Sequence, residues 1–423
     1  MLKTAIAFQA CSPLAKEEIN QLLGGWEGYQ LGTVGPHAAD DANGPPEVWI
    51  ELLPRANRVK RCSCCHESVD ALHDCEQRWV RDLPLLGKVV WLLVWRCRVA
   101  CPRCGPKLEE LSWLASYSRV TARLALEVAR LCRWLPVAHV AEYMDLHRHT
   151  VKAIDKAHLH QTLGPPDLSN VEVIALDEFS IHKGHRYATV IIDPRCKRVL
   201  WICVGRSRAE IRPFFEALKE TGRQKLRAAV MDMNGAYEVE VRAQCPNARI
   251  VYDLFHIAAN YSRRVIDEVR QDEVARLKRD KEGRRIIKGA RWLLLRNREN
   301  LRETQAVQLQ ELLAANQALA IVYILKEDLK QLWQHDCYPT ALRFWTQWHR
   351  RAITSGVEPL RKFAHFMEGK LDGILSHCQF PFHTSLLEGI NNKIKVIKRM
   401  AYGYRDHEYF FLKIRAAFPG IVP

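Results

Sequence analysis

The sequence predicts an α/β protein, and the order of its apolar segments is the main reason. Three consecutive runs at 171–180, 186–194 and 197–205 have the length and composition of strands. An amphipathic segment at 208–222 follows, and later apolar runs alternate with helical patterns. Proteins that wind helices around a parallel sheet usually alternate from the beginning. Three strands followed by a helix therefore favour a mixed sheet that starts with antiparallel strands.

This order of elements is that of the ribonuclease-H-like fold, which we expect for residues 171–423. The break "QTLGPPDLSN" at 161–170 is rich in Pro, Gly and polar residues and marks the boundary before this domain. A helical and densely basic pattern at about 260–373 is interpreted as an insertion within the domain. Upstream, we expect a small cysteine-rich module at 1–110 and a separate helical region at 111–165.

Composition favours a polyanionic partner. Among 423 residues, Lys plus Arg exceed Asp plus Glu by 63 − 48 = 15, an excess that most often indicates nucleic-acid binding. The apolar run "VVWLLVW" has strand length and is far too short to span a membrane. The N-terminal segment lacks the sustained apolar core of a signal peptide. We therefore expect a cytoplasmic protein without a membrane partner.

Clustered cysteines predict a zinc site. The motifs "CSCC" and "CPRC" each contain a Cys-x-x-Cys pair, and four thiolates suit a tetrahedral structural Zn²⁺. The segment between them is expected to form a β-hairpin that turns near Gly87 and brings the pairs together. The expected ligands are Cys62, Cys65, Cys101 and Cys104. Buried free cysteines are the alternative, and the spare candidate ligands are Cys64, Cys75, Cys97 and His66.

A helix-turn-helix is predicted in "LPVAHVAEYMDLHRHTVKAIDKAHL" at 135–159. Apolar residues at helical spacing give two helices an inward face, and Met144-Asp145 falls where a tight turn is needed. A recognition helix presents its N-terminal part to the major groove. The outward residues there are His147, Arg148, His149 and Lys152. An ordinary helical hairpin with a solvated basic face is the alternative, but the net charge and the adjacent cysteine module favour DNA binding.

Carboxylates are predicted to meet at one edge of the later sheet. Asp177 ends the first strand in "VIALDEFS", and Asp232 ends the fourth strand in "VMDMNG". Strands one and four are neighbours in the expected fold, so both carboxylates reach the same edge. A third acid, Glu388, lies on a helix near the C-terminus. Such oxygen ligands suit a pair of Mg²⁺ ions.

The helix that carries Glu388 is predicted to open at Thr384-Ser385 and to have a basic face. Asn392, Lys395 and Arg399 follow Glu388 at helical spacing and share its side of the helix. A basic face beside the acids is expected next to a phosphate backbone.

Several neighbours of the acids have competing interpretations. Glu178 follows Asp177 but points to the opposite face of the strand, where a salt bridge is expected. Asp253 ends the fifth strand, and contact with the metal site or DNA is the less favoured of its interpretations. His182 and His185 are expected near the turn between the first two strands.

Taken together, these motifs resemble the ISL-three family of bacterial insertion-sequence transposases, which use a DDE catalytic domain. The matching segments extend over nearly the whole chain: "RDLPLLGKVVWLLV" with "CPRCG", "VIALDEFSIHKGHRYATVIID", "VMDMNGAY", "RIVYDLFHI", "GARWLLLRNRENL" and "LLEGINNKIKVIKRMAYGYR". The resemblance implies a catalytic triad of Asp177, Asp232 and Glu388 that uses Mg²⁺ or Mn²⁺. It also implies a bacterial, nucleoid-associated protein.

The implied function is DNA transposition. The N-terminal modules would bind the terminal inverted repeats of double-stranded DNA, and the acids would support cleavage and strand transfer into target DNA. Because two ends must be joined, a homodimer or higher oligomer on DNA is expected. Two other functions stay open: a non-catalytic DNA-binding regulator derived from a transposase, and a structure-selective nuclease without a preference for terminal repeats.

Overall fold

The computed structural model describes residues 23–24, 26–37, 45–182, 184, 186–296, 298–382 and 385–421. These residues form two compact units. The first extends to Thr162 and includes Met400–Tyr402, and the second comprises Leu163–Arg399 and the residues from Gly403 onward. Each unit combines a five-stranded sheet with helices, so the mixed α/β class predicted from the sequence is confirmed.

The first unit is built on strands β1 to β5, which span Tyr29–His37, Glu47–Pro54, Leu72–Leu85, Lys88–Cys101 and Gly105–Leu108. Their order is β1-β2-β4-β3, and β5 pairs with β4. β3 and β4 form the predicted hairpin. Gly87 in its turn has a φ of +75°, a left-handed conformation that favours glycine.

Three helices of the first unit contain the predicted helix-turn-helix. Helices α1 to α3 span Ala122–Leu131, Val137–Tyr143 and Arg148–Leu163. Met144 is buried and Asp145 has a φ of +49°, so the chain turns sharply between α2 and α3 as predicted. The buried guanidinium of Arg81 on β3 donates hydrogen bonds to the Met144 and Asp145 carbonyls, at 3.0 and 3.1 Å. The sheet thus fixes the turn, a contact that no sequence pattern reveals.

The second unit has a mixed sheet of strands β6 to β10, at Val173–His182, Arg186–Asp193, Arg198–Val204, Ala228–Met231 and Arg249–Tyr252. Their order is β10-β9-β6-β7-β8. β6, β7 and β8 pair antiparallel, whereas β9 runs parallel to both β6 and β10. The antiparallel start that the sequence predicts is confirmed. Helices α4 and α5 follow β8 and β9 at Arg208–Lys225 and Gly235–Gln244.

The predicted insertion is helical throughout most of its length. Helices α6 to α14 span Leu254–Tyr261, Asp267–Arg276, Lys281–Gly289, Arg291–Leu295, Glu303–Ala315, Gln317–Gln331, Tyr338–Ile353, Glu358–Glu368 and Leu371–Leu375. A π-helical turn at Ser262–Ile266 joins α6 to α7. The last helices, α15 and α16, span Ser385–Met400 and His407–Ala417. In the part of the chain that the structure describes, no helix is both long and apolar enough to cross a membrane.

The two faces of the second sheet pack against different helices. Ile174 and Leu176 belong to a core shared with α4, α5 and the insertion. Val173 and Ala175 belong to a second core, to which α15 and α16 contribute Leu387, Ile390, Ile394, Phe410 and Ile414. Side chains alternate between faces along a strand. Asp177 therefore lies on the face that α15 covers.

Candidate active site

Three aspartates lie at the same level on neighbouring strands. β6 pairs in parallel with β9 at a residue offset of 228 − 173 = 55, and β9 pairs with β10 at an offset of 249 − 228 = 21. Continued by a few residues, these registers place Asp177 beside Asp232, and Asp232 beside Asp253. Adjacent strands are about 4.8 Å apart. The three carboxyl groups therefore converge at one edge of the sheet.

The position of Asp177 within its strand differs from the sequence prediction. The sequence predicts that Asp177 ends the first strand, but β6 continues to His182, so this prediction was wrong. β6 is paired with β9 only as far as Ala175, because β9 ends at Met231, while the other side of β6 stays paired with β7. Asp177 thus lies within a strand, just past the point where the neighbouring strand stops.

The same alternation of faces places all three aspartates on the α15 side of the sheet. Asp232 continues the face of Ala228 and Val230, and Asp253 continues the face of Val251, all in the core shared with α15. Asp253 also accepts a hydrogen bond from the Phe255 backbone N–H at 2.7 Å and so caps α6.

Helix α15 contacts this edge through Asn391. The Asn391 Nδ2 donates a hydrogen bond to Asp177 Oδ2 at 2.6 Å. Glu388 is three residues earlier on the same side of α15, a spacing that leaves about 5–6 Å between Cβ atoms. Its side chain is exposed. Among the described residues, Asp177, Asp232 and Glu388 do not belong to any set of three His, Cys, Asp or Glu side chains whose ligand atoms all lie within 4.8 Å of one another. Of the predicted opening pair of this helix, Thr384 lies outside the described residues and α15 begins at Ser385.

Burial raises the pKa of all three aspartates. The pKa of Asp177 rises to about 6, mainly because its carboxyl group is removed from water. This value includes smaller raising contributions from the charges of Asp232 and Asp253. It also includes lowering contributions from the Glu178 backbone N–H, which donates to Asp177 Oδ1 at 2.8 Å, and from the charge of His256. Burial likewise raises the pKa of Asp232 and of Asp253, and a positive charge on His256 opposes both shifts. A buried edge of like charges is stabilised by a bound cation.

The residues around the edge match the sequence predictions unevenly. Glu178 forms the expected salt bridge, with Arg206 Nη1 at 3.1 Å. His182 is the last residue of β6 and its ring lies 5.8 Å from that of His407, whereas His185 lies outside the described residues. Asp253, whose contact with the metal site the sequence analysis did not favour, lies level with Asp232 by the register of β9 and β10. Its signal was available, because it follows a buried strand and opens a helix, as the "DMNG" motif of Asp232 does.

The four predicted cysteine ligands come together in the first unit. The sulfur atoms of Cys62, Cys65, Cys101 and Cys104 all lie within 4.8 Å of one another. The Cys64 and Cys104 backbone N–H groups donate to the sulfurs of Cys62 and Cys101 at 3.4 Å. Hydrogen bonds from the backbone N–H of Cys65 and then Cys64 lower the pKa of Cys62 to about 7. The pKa values of Cys65 and Cys104 are raised instead, for Cys104 mainly by burial, and a bound metal would favour the thiolate form of all four.

The spare cysteine ligands have other roles. Cys75 and Cys97 face each other across β3 and β4 and form a disulfide. Cys64 is exposed, and the His66 ring lies 3.0 Å from Glu110 Oε2. Cys75, Cys97 and His66 therefore have other partners, whereas Cys64 is exposed and its side chain lies beside that of Cys104.

The predicted DNA-contacting residues lie on accessible surfaces of their own units. At the start of α3, the side chains of His147, Arg148 and His149 are exposed. The side chain of Lys152 is half-buried. The rings of the two histidines stack at 5.1 Å. On α15, Lys395 and Arg399 are exposed.

Two family models match the chain. One is described as "Transposase" and covers residues 174–414, which include the three aspartates and Glu388. The other is described as "Helix-turn-helix domain of transposase family ISL3" and covers residues 109–159, which include α2 and nearly all of α3.

Curated relatives carry the same description. The chain is 48% identical to "Transposase for insertion sequence element IS1001" of Bordetella parapertussis over 404 aligned residues. The alignment covers 95% of this chain and 98% of that protein. This chain is 27% identical over 396 residues to "Transposase for insertion sequence element IS1557" of Mycobacterium tuberculosis, with 87% of each chain covered. The chain therefore belongs to the ISL3 (ISL-three) family of transposases, enzymes that bind DNA and catalyse its cleavage and strand transfer.

Proposed function

We propose that Asp177, Asp232 and Glu388 are the catalytic carboxylates of this transposase. The observation that carries the proposal is the shared level of Asp177 and Asp232 on the sheet face that α15 covers. The hydrogen bond from Asn391 to Asp177 ties the helix of Glu388 to that edge. Asp253 stands at the same level and is a further candidate ligand.

The donor set fits Mg²⁺ or Mn²⁺. Its members are carboxylate oxygens, which hard divalent cations prefer, and burial of the aspartates leaves their charge in need of a cation. Bound divalent ions lower the pKa of the attacking water or 3′-hydroxyl and stabilise the leaving oxygen. The chain itself holds the acids in position, with Asn391 orienting Asp177. Lys395 and Arg399 offset phosphate charge along the exposed face of α15.

The reaction is hydrolysis at the end of the element followed by attack of the freed 3′-hydroxyl on target DNA. No covalent link between protein and DNA is required, because the carboxylates act as ligands. We assign this chemistry to a ribonuclease-H-like domain at 171–423 with its insertion at about 260–373. The sheet order β10-β9-β6-β7-β8, with antiparallel strands first and parallel strands after, supports that assignment.

The N-terminal half would recognise the terminal inverted repeats. We assign a structural Zn²⁺ to the four-cysteine cluster within a module at 1–110, because four convergent sulfurs suit a tetrahedral zinc site. The region 111–165 would place the start of α3 in the major groove, with His147, Arg148, His149 and Lys152 toward DNA. Because two DNA ends must be joined, the transposase would act as a homodimer or higher oligomer on the DNA. Transposition would take place at the bacterial nucleoid.

The test is an end-cleavage and strand-transfer assay with the purified full chain. Labelled DNA carrying the ends of the protein's own element is incubated with Mg²⁺ and with Asp177→Ala, Asp232→Ala and Glu388→Ala variants. Glu172→Ala is the matched control, because this acid just before the start of β6 pairs with Arg195 at 3.0 Å, at the opposite end of the strand from the aspartates. We expect cleavage to vanish in the three variants, to persist in the control, and DNA binding to survive in all four.

Other outcomes would select a different function. Binding without cleavage by the unmutated protein would favour the non-catalytic regulator. Cleavage with no preference for terminal repeats would favour the structure-selective nuclease. Cleavage that persists without Glu388 would mean that another acid completes the site.

A further inference from the structure

A second group of metal-ligating side chains lies in the insertion, apart from the carboxylate edge and the cysteines. It comprises His349 of α12 with His365 and Glu368 of α13. Their ligand atoms all lie within 4.8 Å of one another. Glu368 directs one carboxylate oxygen to each ring: Oε1 lies 3.2 Å from His349 Nε2, and Oε2 lies 3.1 Å from His365 Nδ1.

These separations suit a tetrahedral metal site. Ligand atoms about 2.0–2.1 Å from a Zn²⁺ ion are ~3.3 Å apart at the tetrahedral angle, and two imidazoles with one carboxylate form a recurrent zinc ligand set. His365 and Glu368 are three residues apart on one helix, so both point to the same side. His349 reaches that side from the preceding helix.

The surroundings of His349 favour a bound cation over a simple ion pair. Its Nε2 is buried and has no hydrogen-bond partner among the described residues, although Glu368 Oε1 is only 3.2 Å away. A metal ion bound by both atoms would satisfy this nitrogen and the carboxylate oxygen together, which a hydrogen bond of this geometry does not. The His349 ring also stacks at a tilt on Trp345, with centroids 5.5 Å apart, which fixes its position.

The site is enclosed on one side and open on the other. The His349 side chain is 19% exposed, whereas His365 and Glu368 are 59% and 51% exposed. An ion held by these three ligands would keep a fourth position toward solvent, for water or for a ligand from a partner. Exposed ion pairs contribute little to stability. An ion that joins α12 to α13 would instead link two helices of the insertion.

We propose that His349, His365 and Glu368 bind one zinc-type divalent ion that joins α12 to α13 and keeps an open coordination position. The site is independent of the cysteine cluster and of the catalytic carboxylates. Metal binding at this site is expected whether or not the proposed roles of Asp177, Asp232 and Glu388 are correct.

The test counts zinc bound to the full-length protein. The chain is equilibrated with Zn²⁺ in excess Mg²⁺, desalted, and analysed by elemental mass spectrometry. Variants His349→Ala, His365→Ala and Glu368→Gln are expected to hold one zinc ion per chain fewer than the unmutated protein. In titration calorimetry with zinc, the binding step assigned to this site should be lost or weakened at least tenfold.

Matched controls separate the site from general effects. Glu358→Gln alters an exposed acid of the same helix, which pairs with Arg361, and should leave the zinc count unchanged. His139→Ala removes an exposed histidine of α2 and should also leave it unchanged. His365 and Glu368 are both more than half exposed, so their variants test the site without disturbing the core. Equal zinc counts in the unmutated protein and all three site variants would overturn the proposal and leave an ordinary His–Glu ion pair.

Discussion

The second unit contains two kinds of buried carboxylate with opposite electrostatics. At the sheet edge, burial and then the charges of Asp232 and Asp253 raise the pKa of Asp177, which reaches about 6. On α5, Glu240 is fully buried, yet its pKa is lowered to about 2. Arg212 and Arg208 each donate from Nε to a different oxygen of Glu240 at 2.9 Å. Arg212 Nη2 and the Gln244 amide donate two more hydrogen bonds, at 3.4 and 3.0 Å.

The difference lies in the partners and not in the burial. Glu240 has a guanidinium for each oxygen, so its charge is balanced and it clamps α4 to α5. The aspartates face one another, and the positive charges of His256 and, for Asp232, of Arg206 offset burial only in part, so the pKa of each aspartate stays raised and the fold leaves a demand for a cation at this edge. A balanced carboxylate stabilises the structure, whereas an unbalanced group of carboxylates is suited to metal chemistry.

The largest loss of DNA cleavage is expected when one of the aspartates at the sheet edge is replaced by a neutral amide. Asp232→Asn should lower end cleavage by more than about 100-fold, since even residues that only orient metal ligands cost 10–100-fold. The same change should not lower the thermal stability of the metal-free protein, because it removes a charge whose ionised form burial disfavours. Cleavage rates and unfolding temperatures measured side by side check both parts. Cleavage within tenfold of the unmutated protein would count against the proposed role.

A smaller loss of cleavage is expected when Asn391, which orients the Asp177 carboxylate, is replaced. Asn391→Ala removes the hydrogen bond to Asp177 Oδ2 and should lower cleavage by about 10–100-fold without abolishing DNA binding. Val396→Ala, at an exposed apolar position of α15, is the control and should have a weaker effect. The Mg²⁺ concentration for half-maximal rate should rise in Asn391→Ala, a readout that a purely structural role would not change. Equal activities of the two variants would remove Asn391 from the site.

The balanced carboxylate should behave in the opposite way. Glu240→Gln leaves two guanidinium groups without their carboxylate and should lower the free energy of unfolding by about 1–3 kcal/mol, while the folded enzyme keeps its cleavage rate. Both arginines are nearly half exposed, so solvent limits the loss. Glu216→Gln, an exposed acid on α4, is the control for denaturant unfolding. A Glu240→Gln variant that folds but does not cleave DNA would show that Glu240 contributes to catalysis as well as to stability.

Glu240 also predicts the direction of a pH effect. Its folded pKa of about 2 lies below the ordinary value of 4.5, so its stabilisation is complete above pH 4.5 and is lost as the pH falls toward 2. The unfolding free energy of the unmutated protein should therefore fall more steeply in that window than that of Glu240→Gln. Parallel slopes in denaturant titrations at several pH values would contradict this assignment.

The smallest effect is expected at the rim of the edge. Arg206 pairs with Glu178 at 3.1 Å and is more than half exposed, and its charge makes only a minor contribution to lowering the pKa of Asp232. Arg206→Ala should change unfolding free energy by no more than about 1 kcal/mol and cleavage by only a few fold. A loss of cleavage as large as that of Asp232→Asn would place Arg206 in direct contact with DNA or the reacting atoms.

Local patterns predicted much of this protein. The hairpin at Gly87, the turn at Met144-Asp145 and the antiparallel start of the second sheet depend on residues close in the chain, where periodicity and turn chemistry act directly. The pairing of "CSCC" with "CPRC" followed from one hairpin. The family resemblance, based on motifs over nearly the whole sequence, also required no structure.

Only the tertiary structure decided which distant residues meet. The offsets of 55 and 21 between strands are set by packing across the sheet, and they bring Asp253 level with the predicted acids. The Asn391 contact and the His349–Glu368 pair likewise join separate elements. Sequence periodicity fixes the face on which a side chain lies, but the register between elements depends on long-range packing, so the partners of a buried charge remain undetermined until the chain is folded.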